Sequence, residues 1–431
     1  MAVLVIFCLS VAGMIALVFA KPAVSAGRVA LSIFWVPPAL GAVLVVACGL
    51  LPAREALAGL FADSAVNPVK ILVLFFSMTL LSVFLDEAGF FRYLAAAVLR
   101  HAGASQKRLF FLLYLAVSVL TVFTSNDIIV LTFTPFLCYF AKNAEIDPLP
   151  YLFCEFVAAN TWSMALIIGN PTNIYLAAGA GVDFAGYTRV MLLPTALAGA
   201  VSLGVLWLLF RRRLSAPMKG NPEITHMEDP LSVALGLVAL AGAILLMALS
   251  SYLPGVEMWL VSLCAFVLLY IAAGTALLFR RRGLRLLRRS LLRAPLDVAP
   301  FVLSMFVLVL ALDRSGAVGA LAAFLSRGEP VISFGISSFL AANLVNNIPM
   351  SVLFSSVVTA AGGDAGALFA AVVGSNIGAF LTPVGALAGI MWMAMLKNHG
   401  VKLTFGKFTA TGAAVAVPAL LAALAGLLIV F

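Results

Sequence analysis

Charge is scarce in this 431-residue sequence: Asp, Glu, Lys and Arg make up only 10% of it, against about 25% in an ordinary soluble domain. A soluble enzyme of this length is thereby excluded. Histidine is nearly missing, and the three present, His101, His226 and His399, stand in loop-like stretches. Intramembrane haem ligation and a metal-hydrolase motif such as HExxH therefore have no residues to build them. The five cysteines, Cys8, Cys48, Cys138, Cys154 and Cys264, fall singly inside apolar runs without CxxC spacing. They read as packing residues, not as a disulfide framework or zinc site. No nucleotide motif appears, and no cofactor or metal is expected. The first apolar block, AVLVIFCLSVAGMIALVFA, has no basic residue before it and no cleavage pattern after it. A retained helix is expected there, not a signal peptide.

What is present is apolar: 64% of residues are hydrophobic, in runs near the roughly 20 residues a bilayer-spanning helix needs. Solid blocks of this kind also exclude a transmembrane β-barrel, whose strands alternate. The expected fold class is therefore an all-α polytopic membrane protein. Blocks and breakers predict ten crossings, near 2–19, 29–51, 68–86, 150–180, 188–210, 230–251, 255–279, 297–313, 366–396 and 406–431. Two further blocks, 108–140 and 331–361, are interrupted by TSND (Thr124 to Asp127) and NNIP (Asn346 to Pro349). Polar backbone at membrane depth survives only where it is buried in protein or lines a cavity. Both blocks are read as re-entrant hairpins.

The net charge of +9 is a matter of topology and not of nucleic acid, because the basic residues crowd into short loops beside the apolar blocks. With ten crossings, 21 of the 26 Lys and Arg residues fall on one face and five on the other. The rich face should be cytoplasmic and both termini extracytoplasmic, as expected in a bacterial inner (plasma) membrane.

An internal repeat emerges when LDEAGFFRYLAAAVLR (85–100) is laid on LDRSGAVGALAAFLSR (312–327) without a gap. In each copy a span ends in this amphipathic stretch, and a hairpin, an interrupted span and a last span follow. The first repeat is 1–210, a polar linker occupies 211–229, and the second repeat is 230–431. Five crossings in each half, an odd number, make the repeats inverted. Such a pair brings two half-sites together at the bilayer midplane.

The candidate site follows from the interruptions. GNPTN supplies Gly169, Asn170, Pro171, Thr172 and Asn173, and the corresponding break LTPVG supplies Thr382, Pro383 and Gly385 after Asn376 of GSNIG. Gly and Pro break the helix, and the freed backbone groups together with the Asn and Thr side chains form a polar cup. The hairpin tips contribute Thr124, Ser125, Asn126 and Asp127 in one half and Asn346, Asn347 and Pro349 in the other. Asp127 is the leading proton-coupling candidate, because an ionisable group at membrane depth is costly unless it is wet or paired. Glu155 is a second, with a solvated helix start as the alternative. The arginine-rich stretch 280–293 fits anionic lipid or a plain topology signal.

LDEAGFF, the SND of the first hairpin, the NNIP of the second and TPVGALAGIMW of the last broken helix together resemble the ArsB arsenical pump permeases of the ion transporter superfamily. The resemblance covers essentially the whole chain. It implies a scaffold domain and a mobile transport domain working as an elevator, often as a homodimer, with a soluble ATPase subunit as a further partner. The expected function is then secondary transport, not enzymatic: proton-coupled efflux of arsenite or antimonite. GNPTN and GSNIG differ from the arsenite pumps, so a sodium-coupled carrier of a carboxylate or inorganic anion is the alternative.

Overall fold

The computed structural model describes residues 1–20, 24–26, 29–31, 33–61, 67–216, 218, 227, 229–253 and 255–431. Most of the 211–229 linker, with His226 and Lys219, lies outside the described residues, as do Lys21 and Arg28. Helix α1 (Ala2–Ala20) leads into the antiparallel pair β1 (Val24–Ala26) and β2 (Val29–Leu31), then α2 (Val36–Ala47) and α3 (Ala53–Phe61). Next come α4 (Pro68–Glu87), α5 (Phe90–Ala102), α6 (Gln106–Phe123), α7 (Asn126–Asn143), α8 (Leu149–Trp162), α9 (Pro171–Gly179) and α10 (Phe184–Phe210). The remainder is α11 (Pro230–Ser250), α12 (Met258–Phe279), α13 (Arg285–Leu292), α14 (Val298–Arg314), α15 (Ala317–Leu325), α16 (Pro330–Val345), α17 (Asn347–Ala360), α18 (Ala365–Gly378), α19 (Leu387–Asn398) and α20 (Phe405–Val430).

This is an all-α polytopic membrane architecture with one short β-ribbon. Among the described residues, α4, α6, α10, α11, α12 and α20 are each long and apolar enough to cross a bilayer alone. One expectation is corrected here. The predicted crossing at 29–51 contains only the 12-residue α2, about 18 Å long at 1.5 Å per residue. Pro37 and Pro38 occupy its first turn, and proline has no N–H with which to continue a helix toward its N-terminus. Gly49, at φ +70°, follows its other end. In the block 108–140, α6 is 18 residues long. The break at Thr124 and Ser125 falls after a run of nearly full crossing length.

The order of elements from α4 to α10 recurs from α14 to α20. The shared LD..G motif has a local cause in both copies, since Gly89 (φ +87°) and Gly316 (φ +79°) are the left-handed caps at which the chain turns into α5 and α15. α14 and α15 meet at 79°. Capping is dictated just as locally: Asn67 accepts from the N–H groups of Val69 (2.9 Å) and Lys70 (3.0 Å) ahead of Pro68, and Glu329 serves α16 in the same way ahead of Pro330. Each cap satisfies N–H groups that a helix start leaves open.

The halves interlock. α10 packs along α20 across the halves, while α16 packs along α18 and α6 along α8 within them. Between α8, α19 and α20 lies an aromatic cluster in which Phe156 stacks on Trp392 at 4.7 Å, with Phe153 and Phe408 edge-on to the indole at 5.6 and 5.7 Å. Two ion-pair clamps fix α4 beside α12 and its extension. Lys70 meets Glu257 at 2.9 Å where both helices begin, and Arg293, just past α13, meets Asp86 (2.6 Å) and Glu87 (2.8 Å) where α4 ends.

Candidate substrate site

Each repeat contains a helix broken in mid-course. After α8 the chain runs through a single 3₁₀ turn, Ile167–Gly169, before α9; after α18 it runs through Pro383–Gly385 before α19. Overlaid without a gap, 160–170 and 376–386 place Gly169 on Gly385 and Asn160 on Asn376. The glycines are there for close approach. A Cβ on Gly169 would lie 2.2 Å from the Ser163 carbonyl oxygen, and one on Gly385 would lie 2.3 Å from that of Gly378.

Side chains tie up the freed backbone. Asn173 Nδ2 donates to the carbonyls of Ser163 (2.8 Å) and Leu166 (3.1 Å). In the other repeat Asn343 Nδ2 donates to Gly378 O (3.1 Å), while its Oδ1 accepts from Thr382 N–H (3.1 Å) and Thr382 Oγ1 (2.7 Å). Asn346 Nδ2 reaches Val384 O at 3.0 Å. Its own backbone, at φ +75° and ψ +152°, adopts a conformation nearly confined to glycine. Asn376 joins the two breaks: its Oδ1 accepts from Ser163 Oγ (3.0 Å) and Asn170 Nδ2 (2.9 Å), and its Nδ2 donates to Asn173 Oδ1 (2.7 Å) and Val372 O (2.9 Å).

Beside this scaffold lies a cavity of about 320 Å³. Four helices present their first turns to it: α7 through Ser125, Asn126 and Asp127, α9 through Asn170 and Pro171, α17 through Asn347 and Ile348, and α19 through Ala386, Leu387 and Ala388. A helix N-terminus offers open N–H groups and a partial positive charge; at α9, where Pro171 has no N–H and Asn170 takes those of Thr172 and Asn173, only the charge is offered. Convergence of four makes a hollow suited to oxygen-rich or anionic cargo. Thr79, Arg293 and Asp297 also line it.

Three of the lining side chains have bonding capacity to spare. Asn126 Nδ2 donates to Asn160 Oδ1 at 3.1 Å, but its buried Oδ1 has no partner. Neither the Asp127 carboxylate nor the Asn347 amide has a side-chain partner among the described residues. A polar group withdrawn from water without a partner is costly, so the buried Asn126 Oδ1 is where a bound molecule would bond, with the half-buried Asp127 and the Asn347 amide beside it.

The other sequence-derived residues lie elsewhere. Thr124 edges a small adjoining hollow with Thr79, Ser82 and Pro171, and Ser125 lines both that hollow and the cavity. Gly169, Thr172, Asn173, Asn346, Pro349, Asn376, Thr382, Pro383 and Gly385 do not line the cavity; they belong to the breaks and the helices behind it. Glu155 is fully buried, which removes the solvated alternative, and it accepts from Thr134 Oγ1 at 3.0 Å to each oxygen. Cys138 and Cys154 are buried without a metal site, and no cluster of His, Cys, Asp and Glu fit for a metal occurs among the described residues.

A family model described as "Citrate transporter" matches residues 29–369, well over half of the chain. The chain belongs to the citrate transporter family. It is similar to proteins named as arsenical pumps, as its motifs implied. It is 27% identical to the arsenical pump membrane protein of Yersinia enterocolitica, over 82% of this chain and 84% of that protein. To the putative arsenical pump membrane protein of Bacillus subtilis it is 24% identical, over 88% and 92%. The fold is that of the Alcanivorax borkumensis YdaH transporter, matched with a TM-score of 0.59 at 14% identity over 99% of this chain and 97% of that one. This citrate transporter family member is thus a multi-pass membrane transporter and not an enzyme.

Sequence reasoning missed Asn160, Ser163, Asn343, Thr134, Arg293 and Asp297. One signal could have found Asn160: it stands ten residues before Asn170, as Asn376 stands ten before Ala386.

Proposed function

We propose that the protein is a secondary transporter that expels arsenite or antimonite from the cell in exchange for protons, with Asp127 as the proton carrier. The observation supporting this reading is the cavity with four helix N-termini, an unpartnered Asn126 Oδ1 and two carboxylates, Asp127 and Asp297, of which only Asp127 stands at a helix break. Arsenous acid is mostly neutral at physiological pH and carries three hydroxyl groups. Those hydroxyls can donate to Asn126 Oδ1 and Asp127 and accept from Asn347 and the open helix-end N–H groups. No cysteine lines the cavity, so the cargo is held through oxygen and not through thiolates. One proton entering down the membrane potential supplies about 2.3 kcal/mol per 100 mV, enough to drive a neutral solute outward.

In this reading Asp127 alternates between holding a proton and releasing it to the opposite side, while Glu155, sealed beside Thr134, is protonated in step or serves only to fix α7 against α8. The two halves, 1–210 and 230–431 about the 211–229 linker, are oppositely oriented, and a scaffold domain and a mobile transport domain work as an elevator in a bacterial inner membrane, both termini outside. A second copy and a soluble ATPase subunit are its candidate partners, the latter on the basic face.

The test is arsenite uptake into everted membrane vesicles, with and without a protonophore, for the wild type and Asp127→Asn. Uptake that needs both the proton gradient and Asp127 supports the proposal; proton-driven uptake by Asp127→Asn overturns it. The helix ends and Arg293 favour one second reading, a sodium-coupled carrier of an anion such as citrate. Citrate uptake that rises with external sodium, without arsenite uptake, would select it.

A further inference from the structure

Seven arginines lie between residues 280 and 293, and their partners divide them sharply. Arg280 and Arg282 meet Asp229 at 2.7 and 3.4 Å, and Arg293 is held by Asp86 and Glu87. Arg281, Arg285, Arg288 and Arg289 are exposed and have no acidic partner among the described residues. The last three recur at i, i+3 and i+4 and so share one side of α13.

The rest of α13 identifies what that side meets. Leu287 packs near Gly274, and Ser290 bonds Tyr270 Oη at 2.8 Å. Both partners lie within α12, five or more residues short of its end, so α13 folds back beside a membrane-crossing helix instead of projecting into water. Leu284, Leu291 and Leu292 nevertheless remain 45%, 45% and 70% exposed, with Leu296 just beyond at 67%. A short helix beside a span, with one face on protein, bare leucines next to it and unpaired arginines beyond, is the composition of an interfacial segment. The leucines enter the acyl boundary and the arginines reach the headgroup phosphates.

We propose that α13 is a binding surface for anionic phospholipid, with Arg285, Arg288 and Arg289 holding the headgroup and Leu284 and Leu291 the first carbons of the chains. An acidic soluble protein would satisfy the arginines and leave the leucines bare. The lipid sits one helical turn from Arg293, whose side chain lines the cavity.

The full-length protein in detergent, titrated with phosphatidylglycerol or phosphatidylcholine and read by native mass spectrometry, tests this. The wild type should prefer phosphatidylglycerol by at least about tenfold, since a basic residue near an anionic surface contributes roughly fivefold. The Arg285→Gln, Arg288→Gln, Arg289→Gln variant should lose that preference, and the matching lysine variant should keep it, because headgroup attraction here needs charge and not the guanidinium fork. If the triple variant fails to insert, Arg288→Gln alone should still lower the preference about fivefold. Equal binding of the two lipids by the wild type, an unchanged preference in the glutamine variants, or displacement of the lipid by inorganic phosphate at equal concentration would each overturn the proposal.

Discussion

Replacing Asn376 by alanine tests the join between the two broken helices. The amide is fully buried and makes four hydrogen bonds, of which two are the sole partners of the atoms they reach: Asn170 Nδ2 at 2.9 Å and Asn173 Oδ1 at 2.7 Å. Ser163 Oγ keeps the carbonyl of Asn160 at 3.0 Å, and Asn170 Oδ1 keeps its own cap on Thr172 N–H. Asn376→Ala therefore leaves two orphaned polar groups. Interhelical hydrogen bonds in membrane proteins average about 0.6 kcal/mol, which sets a floor near 1 kcal/mol. A buried group left unsatisfied costs about 1–3 kcal/mol, so the expected loss is about 2–4 kcal/mol. Reversible unfolding of the purified protein in mixed detergent–SDS micelles measures it. A double-mutant cycle with Asn170→Ala should give a coupling of about 0.6–1.7 kcal/mol. A loss under about 0.5 kcal/mol, or strict additivity of the two substitutions, would refute the idea that Asn376 bonds the breaks together.

Three further outcomes are expected. Gly169→Ala and Gly385→Ala, whose methyl groups would meet backbone oxygen at 2.2 and 2.3 Å, should each abolish transport, whereas Gly204→Ala, which opens onto free space, should transport as the wild type does. Trp392→Ala, at the centre of the aromatic cluster and fully buried, should cost about 3–5 kcal/mol in the same unfolding assay. Asp229 lies outside the membrane spans; burial pushes its carboxyl up, but Ser232 and the Arg280 guanidinium outweigh this and hold it below the usual carboxylate value. A depressed carboxyl stabilises the fold above its unfolded-state value and loses that contribution as pH falls through the lower, folded one. The stability gap between wild type and Asp229→Asn should thus be constant from pH 8 to about 5 and close in stronger acid.

Much of this was legible in the sequence because glycine, proline and the caps act locally. The LD..G repeat announces left-handed Gly89 and Gly316, and GNPTN and LTPVG announce helix breaks, since each motif forces a backbone shape whatever surrounds it. Asn160, Asn343 and Thr134 were illegible for the opposite reason. Each sits inside a mainly apolar helix with no local motif around it, and its role depends on which distant residue it meets: Asn160 on Asn126, Asn343 on Thr382, Thr134 on Glu155. The 29–51 block was misread because its apolar character was weighed above Pro37 and Pro38, which limit where a helix can begin. Arg293 looked like one more loop arginine until Asp86 and Glu87, some two hundred residues away, were found to hold it at the cavity.

The Asn376 junction constrains motion as well as stability. Because its amide holds Ser163, Asn170 and Asn173 of one repeat from within α18 of the other, sliding α8 and α9 together past α18 would sever three bonds at once, whereas a displacement carrying all three helices would sever none. The two breaks form one rigid unit in spite of their separation along the chain. Any displacement of one break must then carry the other with it, so motion between the halves is articulated outside that unit.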